Sequence, residues 1–370
     1  MSQRLTQFFA SRWGIILVGT VIGILAPLLQ KFGNPPNMGI CVACFERDIA
    51  GALGLHRAGV VQYIRPEIIG FVLGALIAAF AFSEFKPRVG SAPIVRFVLG
   101  VFAMIGALAF LGCPWRAILR LAGGDLNAIV GLAGLAVGIT IGVQFLKSGY
   151  SLGRSYKTYH SVGWIMPAIM IGLFLLLVFR VQFGTGAIFF SEKGPGSMHA
   201  PLLISLGAAL LIGFLAQRTR FCTMGSIRDV ILIKDTHLIS GVAALLVVAF
   251  IVNLILGQVK FGILAQPIAH SSHLWNFLGM ALAGLAFALA GGCPGRQLFL
   301  AGEGDGDSAI FVIGMITGAG LAHNFGLAGK PDKIVEGVVQ VGGISTAGMV
   351  AVILGLVVCL IIGFSMREKY

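Results

Sequence analysis

Four short polar stretches interrupt an otherwise apolar chain, and each joins a thiol to an arginine. Two end in Arg-Asp: Cys41-Val42-Ala43-Cys44-Phe45-Glu46-Arg47-Asp48 and Cys222-Thr223-Met224-Gly225-Ser226-Ile227-Arg228-Asp229. Two read Gly112-Cys113-Pro114-Trp115-Arg116 and Gly292-Cys293-Pro294-Gly295-Arg296, followed by Asp125 and Asp305. Cys41 and Cys222 lie 181 positions apart, Cys113 and Cys293 180. Thiols and arginines are costly inside a membrane protein and seldom fall in register by accident. A thiol at a helix N-terminus meets free N–H groups and the positive end of the helix dipole, which favour an anion and enlarge the thiolate fraction. An arginine one turn on adds positive charge. The combination suits transient contact with a small anion that also interacts with sulfur.

Proline is favoured at the first position of a helix, where its missing N–H costs nothing. Cys113 and Cys293 are therefore expected at the N-caps of short helices that close near Gly123-Gly124 and Gly302-Gly304. About two turns cannot span a bilayer, so re-entrant half-helices are predicted, with their thiol-bearing tips meeting near the middle. Adjacent helix residues do not face each other. Arg47 and Asp48, like Arg228 and Asp229, are thus expected to find separate partners, the arginines lending charge to an anion path and the aspartates pinning loops. Cys41-x-x-Cys44 has no companion pair that would make it a strong redox or zinc motif. His270-x-x-His273 lacks nearby carboxylates or cysteines, and no metal site or cofactor is expected. Gly302-Glu303-Gly304-Asp305-Gly306 lacks the lysine and preceding strand of a phosphate loop. Cys359 reads as an ordinary core residue.

The elements that must hold these residues are helices. The 370 residues are 57% hydrophobic and 11% charged, which excludes an ordinary soluble domain and a disordered chain. The apolar material falls into ten candidate spans at about 13–30, 66–85, 94–112, 125–146, 162–183, 200–217, 237–257, 274–292, 308–328 and 345–365. The first has no cleavage site after it and reads as a retained span. Five spans fall in each half. The expected class is an all-α polytopic membrane protein of two inverted repeats, residues 1–183 and 200–370, joined by a linker at 184–199 containing Gly184, Gly186, Gly194, Pro195 and Gly196. Gly134, Gly138 and Gly142, and Gly314 and Gly318, repeat every four residues and predict close helix packing. The net charge of +12 is spread singly over loops, which argues against a nucleic-acid partner. Its bias toward segments on the N-terminal side (Arg4, Arg12, Lys86, Arg88, Lys147, Arg154, Lys157, Arg218, Arg220, Lys234, Arg367, Lys369) places both termini in the cytoplasm.

Phe221-Cys222-x-x-Gly225-x-x-Arg228-Asp229, with Gly-Cys-Pro-x-Arg twice, resembles the YeeE/YedE family of bacterial inner-membrane sulfur transporters. The resemblance covers residues 13–365. It implies an hourglass-like helical fold of two related halves and thiosulfate uptake by relay contacts with cysteines, here Cys41 or Cys44, Cys113, Cys222 and Cys293. Arg47, Arg116, Arg228 and Arg296 would offset the anion's charge, with Asp48, Asp125, Asp229 and Asp305 as their structural partners. The Cys-x-x-Cys of the first half and the overall length resemble the YedE-type branch associated with selenium transport. The expected partners are a small inorganic sulfur or selenium anion, the lipid bilayer and a soluble sulfur or selenium carrier protein. Two alternatives stand beside transport: a membrane thiol–disulfide or sulfurtransferase enzyme exchanging through Cys41 and Cys44, and a membrane partner that feeds the carrier.

Overall fold

The computed structural model describes residues 3–180 and 188–367. The linker residues Gly184 and Gly186, the end of the fifth candidate span and Lys369 lie outside the described residues. The first half runs α1 (Gln3–Ala10), α2 (Arg12–Lys31), α3 (Val42–Ala52), α4 (Pro66–Ala81), α5 (Pro93–Phe110), α6 (Pro114–Ala122), α7 (Asn127–Lys147) and α8 (His160–Phe179). The second runs α9 (Leu202–Thr219), α10 (Thr223–Ile233), α11 (His237–Ile255), α12 (His273–Ala290), α13 (Pro294–Gly302), α14 (Gly306–Asn324) and α15 (Thr346–Ser365). From α2 onward the order is long, short, long, long, short, long, long, and from α9 it recurs. Two short antiparallel pairs tie loops: β1 (Arg88–Val89) with β2 (Tyr156–Lys157), and β3 (Lys333–Val335) with β4 (Val338–Gln340).

The protein is an all-α polytopic membrane protein. Among the described residues, nine helical segments are long and apolar enough to cross a bilayer, three of them including a short helix that follows. The second candidate span is shorter than expected: α4 has 16 residues, because Phe82 ends it ahead of the polar stretch Ser83-Glu84.

The closest helix pairs join one half to the other. α2 lies along α11, and its counterpart α9 lies along α4; α5 lies along α14, and α12 along α7. Glycine makes each approach possible. A Cβ on Gly134 or Gly138 of α7 would stand 2.1 Å from the Phe277 carbonyl oxygen or 2.0 Å from that of Ala281. On Gly314 and Gly318 of α14 it would stand 2.3 Å and 2.7 Å from the carbonyl oxygens of Phe97 and Val101. The register rises together in both members of each pair, so the paired helices are parallel. Within the first half, α2 and α4 run oppositely. Asn34, after α2, donates to Glu67 at the start of α4 (2.7 Å), while Phe9, before α2, meets Phe82 beyond the end of α4. Because α9 parallels α4, it opposes its own counterpart α2, which is the inverted relation expected from an odd number of spans. α8 and α15 depart from this symmetry: α8 packs on α4, α13 and α14, but α15 packs on α12, α5 and α7.

Gly138→Val should force α7 off α12 and cost about 2 kcal/mol or more, the usual scale of overpacking. Gly207→Ala, where an added Cβ meets nothing, should not. Thermal unfolding in detergent, compared for the two variants, reads this directly; equal midpoints would refute the seam.

Candidate functional site

Each break between a long and a short helix is built by the backbone. α5 ends where Leu111 turns left-handed (φ 63) and Gly112 donates back to the Ala107 carbonyl at 2.7 Å. α12 ends alike at Gly291 (φ 85), with Gly292 donating to Phe287 at 3.0 Å. This six-to-one closure is a common helix stop, and Pro114 and Pro294 then restart the helix directly after the cysteine. α9 stops the same way at Arg220 (φ 59), and Phe221 and Cys222 lead into α10. Four short helices result, each with a cysteine at its N-cap: Cys41, Cys113, Cys222 and Cys293. The sequence reading placed half-helices only at the Cys-Pro motifs. The available signal for α3 and α10 was a cysteine ahead of an 11-residue helical run.

The four N-termini converge in two pairs. In the first, Cys41 Sγ and Cys113 Sγ are 3.8 Å apart, and Cys41 Sγ accepts the Cys44 N–H at 3.4 Å. Cys44 turns its thiol elsewhere, donating to the Leu111 carbonyl at 3.8 Å. The sulfur contact thus joins two motifs, not the two ends of Cys-x-x-Cys. In the second pair, Cys222 Sγ accepts N–H groups from Gly225 (3.2 Å) and Cys293 (3.4 Å). All five cysteines are buried; Cys222 retains 6% exposure, while Cys41, Cys44, Cys113 and Cys293 have none. Cys359 is buried in the last helix, as expected of a core residue.

The arginines correct one expectation. Arg47 pairs with its own neighbour Asp48 (2.6 Å), and Arg228 with Asp229 (2.7 Å). A guanidinium on a long stem can fold back along the helix, which a rule about Cβ directions does not capture. Asp48 also binds Arg65 at 2.7 Å, and Arg65 in turn donates to the carbonyls of Pro195 and Met198. Asp125 holds Arg120 (2.6 Å), and Asp305 holds Arg88 (2.8 Å) while capping α14 through the Ser308 N–H. Arg296 finds Glu303 at 3.4 Å, where Arg220 also docks at 3.0 Å. Arg116 has no carboxylate partner among the described residues. It donates to the carbonyls of Leu111, Pro267 and Ile268 and to Cys44 Sγ at 3.7 Å, so its buried charge remains available beside the first thiol pair. Arg65 and Glu303 were missed as site residues. Glu303 lies in a glycine-rich run whose sequence pattern carries no sign of a charge-pairing role.

Trp115 was also passed over. It stands two residues after Cys113 and fills the space that Gly295, two after Cys293, leaves open. A Cβ at Gly295 would lie 2.7 Å from its ring. Phe71, Phe221 and Phe299 surround it at centroid distances of 5.7, 5.9 and 6.1 Å. The first turns of the two Cys-Pro helices therefore meet across an aromatic cluster.

A cavity lies at each end of the molecule. One, about 280 Å³, reaches Arg47, Leu111, His323 and Lys330 on the side of the first thiol pair. The other, about 370 Å³, reaches Cys222, Arg220, Arg228 and Arg296. α4 and α14 run between these ends: Arg65 precedes α4 and Glu84 follows it, and α14 leads from its N-cap Asp305 to His323 in its last turn. Beside the first cavity His56 bonds the Arg47 carbonyl; burial, joined by the Arg47 charge, pulls its pKa down and outweighs that bond. Beside the second, burial pushes the Glu84 carboxyl up, but hydrogen bonds from Arg218 and Gln217 and the charge of Arg220 outweigh it and leave Glu84 below its ordinary value.

Residues 218–370 match the family model described as "Sulphur transport". The similarity to that family is confined to this segment, about two fifths of the chain. The matched segment contains both second-half thiols, Arg228, Arg296 and Glu303. The chain is 31% identical over 108 residues to the thiosulfate transporter TsuA of Escherichia coli, covering 29% of this chain and 30% of that one. It is 34% identical over 99 residues to the thiosulfate transporter TsuA of Spirochaeta thermophila, covering 26% and 29%. It is 29% identical over 99 residues to an uncharacterized protein of Methanocaldococcus jannaschii, covering 24% of this chain and 94% of the relative. The matches to the two named transporters thus span less than a third of their length.

Brief treatment of the purified protein with a negatively charged methanethiosulfonate should modify Cys222 ahead of the other five cysteines. A positively charged analogue should react several-fold more slowly, because three arginines line that cavity. Peptide mass spectrometry reads both; first labelling of Cys41 or Cys359, or a preference for the cation, would contradict the geometry.

Proposed function

We propose that this protein carries a small sulfur- or selenium-containing anion across the bacterial inner membrane, with thiosulfate the substrate that the relatives' names favour. One observation carries the reading: two buried thiol pairs at four converging helix N-termini, the first beside a cavity reached by Arg47 and Lys330, the second beside one lined by Arg220, Arg228 and Arg296. The anion enters over Arg47 and Lys330 and is drawn by the uncompensated Arg116 toward Cys41, Cys44 and Cys113. It passes the Trp115 cluster and reaches Cys222 and Cys293, where Arg228 and Arg296 receive it. Asp48, Asp125, Asp229 and Asp305 hold the arginine framework. Thiols offer weak contacts, and weak multi-site binding is what release requires. Selenium anions fit the same chemistry, being more polarisable and more reactive toward thiolates.

In this reading no bond of the substrate is broken. Both termini face the cytoplasm, residues 1–183 and 200–370 form the two repeats about the 184–199 linker, and the Cys222 cavity opens inward, where a soluble sulfur or selenium carrier would collect the anion. The contact between Cys41 and Cys113 favours a second reading, thiol–disulfide exchange, in which those two sulfurs and not Cys44 form the bond. A reversible Cys41–Cys113 disulfide appearing in step with turnover would support it.

In liposomes, uptake of radiolabelled thiosulfate should fall about tenfold or more in Cys113→Ala and in Cys293→Ala, about 1.4 kcal/mol of barrier for each tenfold. Unlabelled selenite and selenate competing in the same assay would rank selenium against sulfur. Full uptake by both alanine variants would sink the proposal.

A further inference from the structure

Glu46 has no role in the path described above. It lies on α3, two residues after Cys44, and is completely buried. Both of its carboxyl oxygens lack a hydrogen-bond partner among the described residues. The second half has Ile227 at the matching place, so the repeat does not require an acid there. Neighbouring acids are at least partly satisfied: Asp48 binds two arginines, and Glu67 accepts from Asn34 at one oxygen while its other oxygen is unpartnered among the described residues.

Glu46 shares the short helix α3 with Cys41, whose thiol at the N-cap meets that of Cys113. α3 packs against α4, α5, α13 and α14, and the charged groups of those helices are engaged elsewhere. At the start of α4, Arg65 is held by Asp48 and Glu67 by Asn34. On α5, Arg96 donates to Ser91 and the Ala290 carbonyl. On α13, Arg296 pairs with Glu303. On α14, Asp307 accepts from Gly90 and Ser91, and the His323 ring lies tilted against that of His56, centroids 4.5 Å apart. On α3 itself, Arg47 folds onto Asp48. Beyond Cys113, Arg116 is directed at carbonyls and Cys44.

A carboxyl sealed from water with no donor at either oxygen takes its neutral form, because an unpaired buried carboxylate costs far more than holding a proton. A buried acid in a membrane protein that nothing neutralises is a functional-site candidate, and in pumps and transporters such acids include proton relays. Resting on the transport reading above, we propose that Glu46 is a proton-binding site that couples movement of the anion to movement of a proton. When an anion occupies the first thiol pair, a second negative charge beside it in a dry site is strongly disfavoured, so the anion is enclosed only with Glu46 protonated. When the anion has passed on to the second thiol pair, the charge that held the proton on Glu46 is gone, and the proton follows through water in the path to the receiving side. The proton is taken from water on one side and returned to water on the other, and no bond of the anion changes. By linkage, proton and anion each strengthen the other's binding.

The test uses the full chain in liposomes, with labelled thiosulfate outside and a pH-sensitive dye inside. Acidifying the outside by about one unit should raise the accumulation ratio about tenfold for one proton per anion, with acidification of the lumen. Glu46→Gln, which mimics the neutral acid, should continue thiosulfate exchange at equal concentrations while the pH-driven rise and the dye signal vanish. Glu46→Asp should restore part of both. If wild-type protein exchanges thiosulfate without any response to the pH gradient, or if Glu46→Gln keeps that response, the coupling proposal is overturned and the transport reading stands. If wild-type protein moves no thiosulfate even in exchange, the transport reading fails and the coupling falls with it.

Discussion

A helix N-terminus buried away from water must have its free N–H groups and positive dipole answered, and four such termini meet inside this protein. The usual solution is an oxygen cap. Here sulfur occupies every cap position, and Cys41 and Cys222 accept backbone N–H groups at 3.2–3.4 Å. Sulfur is a weak acceptor. The termini are satisfied enough to persist yet remain electrically positive, which leaves room for an anion to supply what the caps withhold. The helix stops at Leu111, Arg220 and Gly291, the buried guanidinium of Arg116 and the aromatic cluster around Trp115 all serve to hold these ends together in an apolar interior.

The scaffold around them is rigid for a stated reason. Four parallel pairs of long helices cross between the halves, and at several points their backbones approach too closely to admit a methyl group. Helices in such contact do not slide past each other without losing packing along their whole length. Under the transport proposal, such a scaffold suits short transfers between neighbouring thiols better than rocking of one half on the other. The charged framework has the same character: Asp48, Asp125, Glu303 and Asp305 each bind an arginine, and Asp48 and Glu303 each bind more than one.

The repeat is also deliberately imperfect at the site. Cys44 stands opposite Gly225, Glu46 opposite Ile227, Trp115 opposite Gly295 and Gly123 opposite Glu303. The first half contributes the extra thiol, the unpaired acid and the large ring. The second contributes the space that accepts the ring and the carboxylate that gathers Arg220 and Arg296. These differences make the two ends of the site chemically unlike each other.

Much of this was legible in the chain itself. Apolar runs of bilayer length, glycines four apart and two sets of thiol motifs in register determined a helical membrane protein of two related halves, because these follow from local composition and spacing. Cys-Pro determined where α6 and α13 begin, because proline's preference for the first turn is local. Only the tertiary structure decided which arginine meets which carboxylate, that Cys41 faces Cys113 instead of Cys44, and that Trp115 rests on Gly295. Those contacts join residues 72 and more positions apart, or depend on how a long flexible side chain folds back, and they are chosen by packing that spacing along the sequence does not encode.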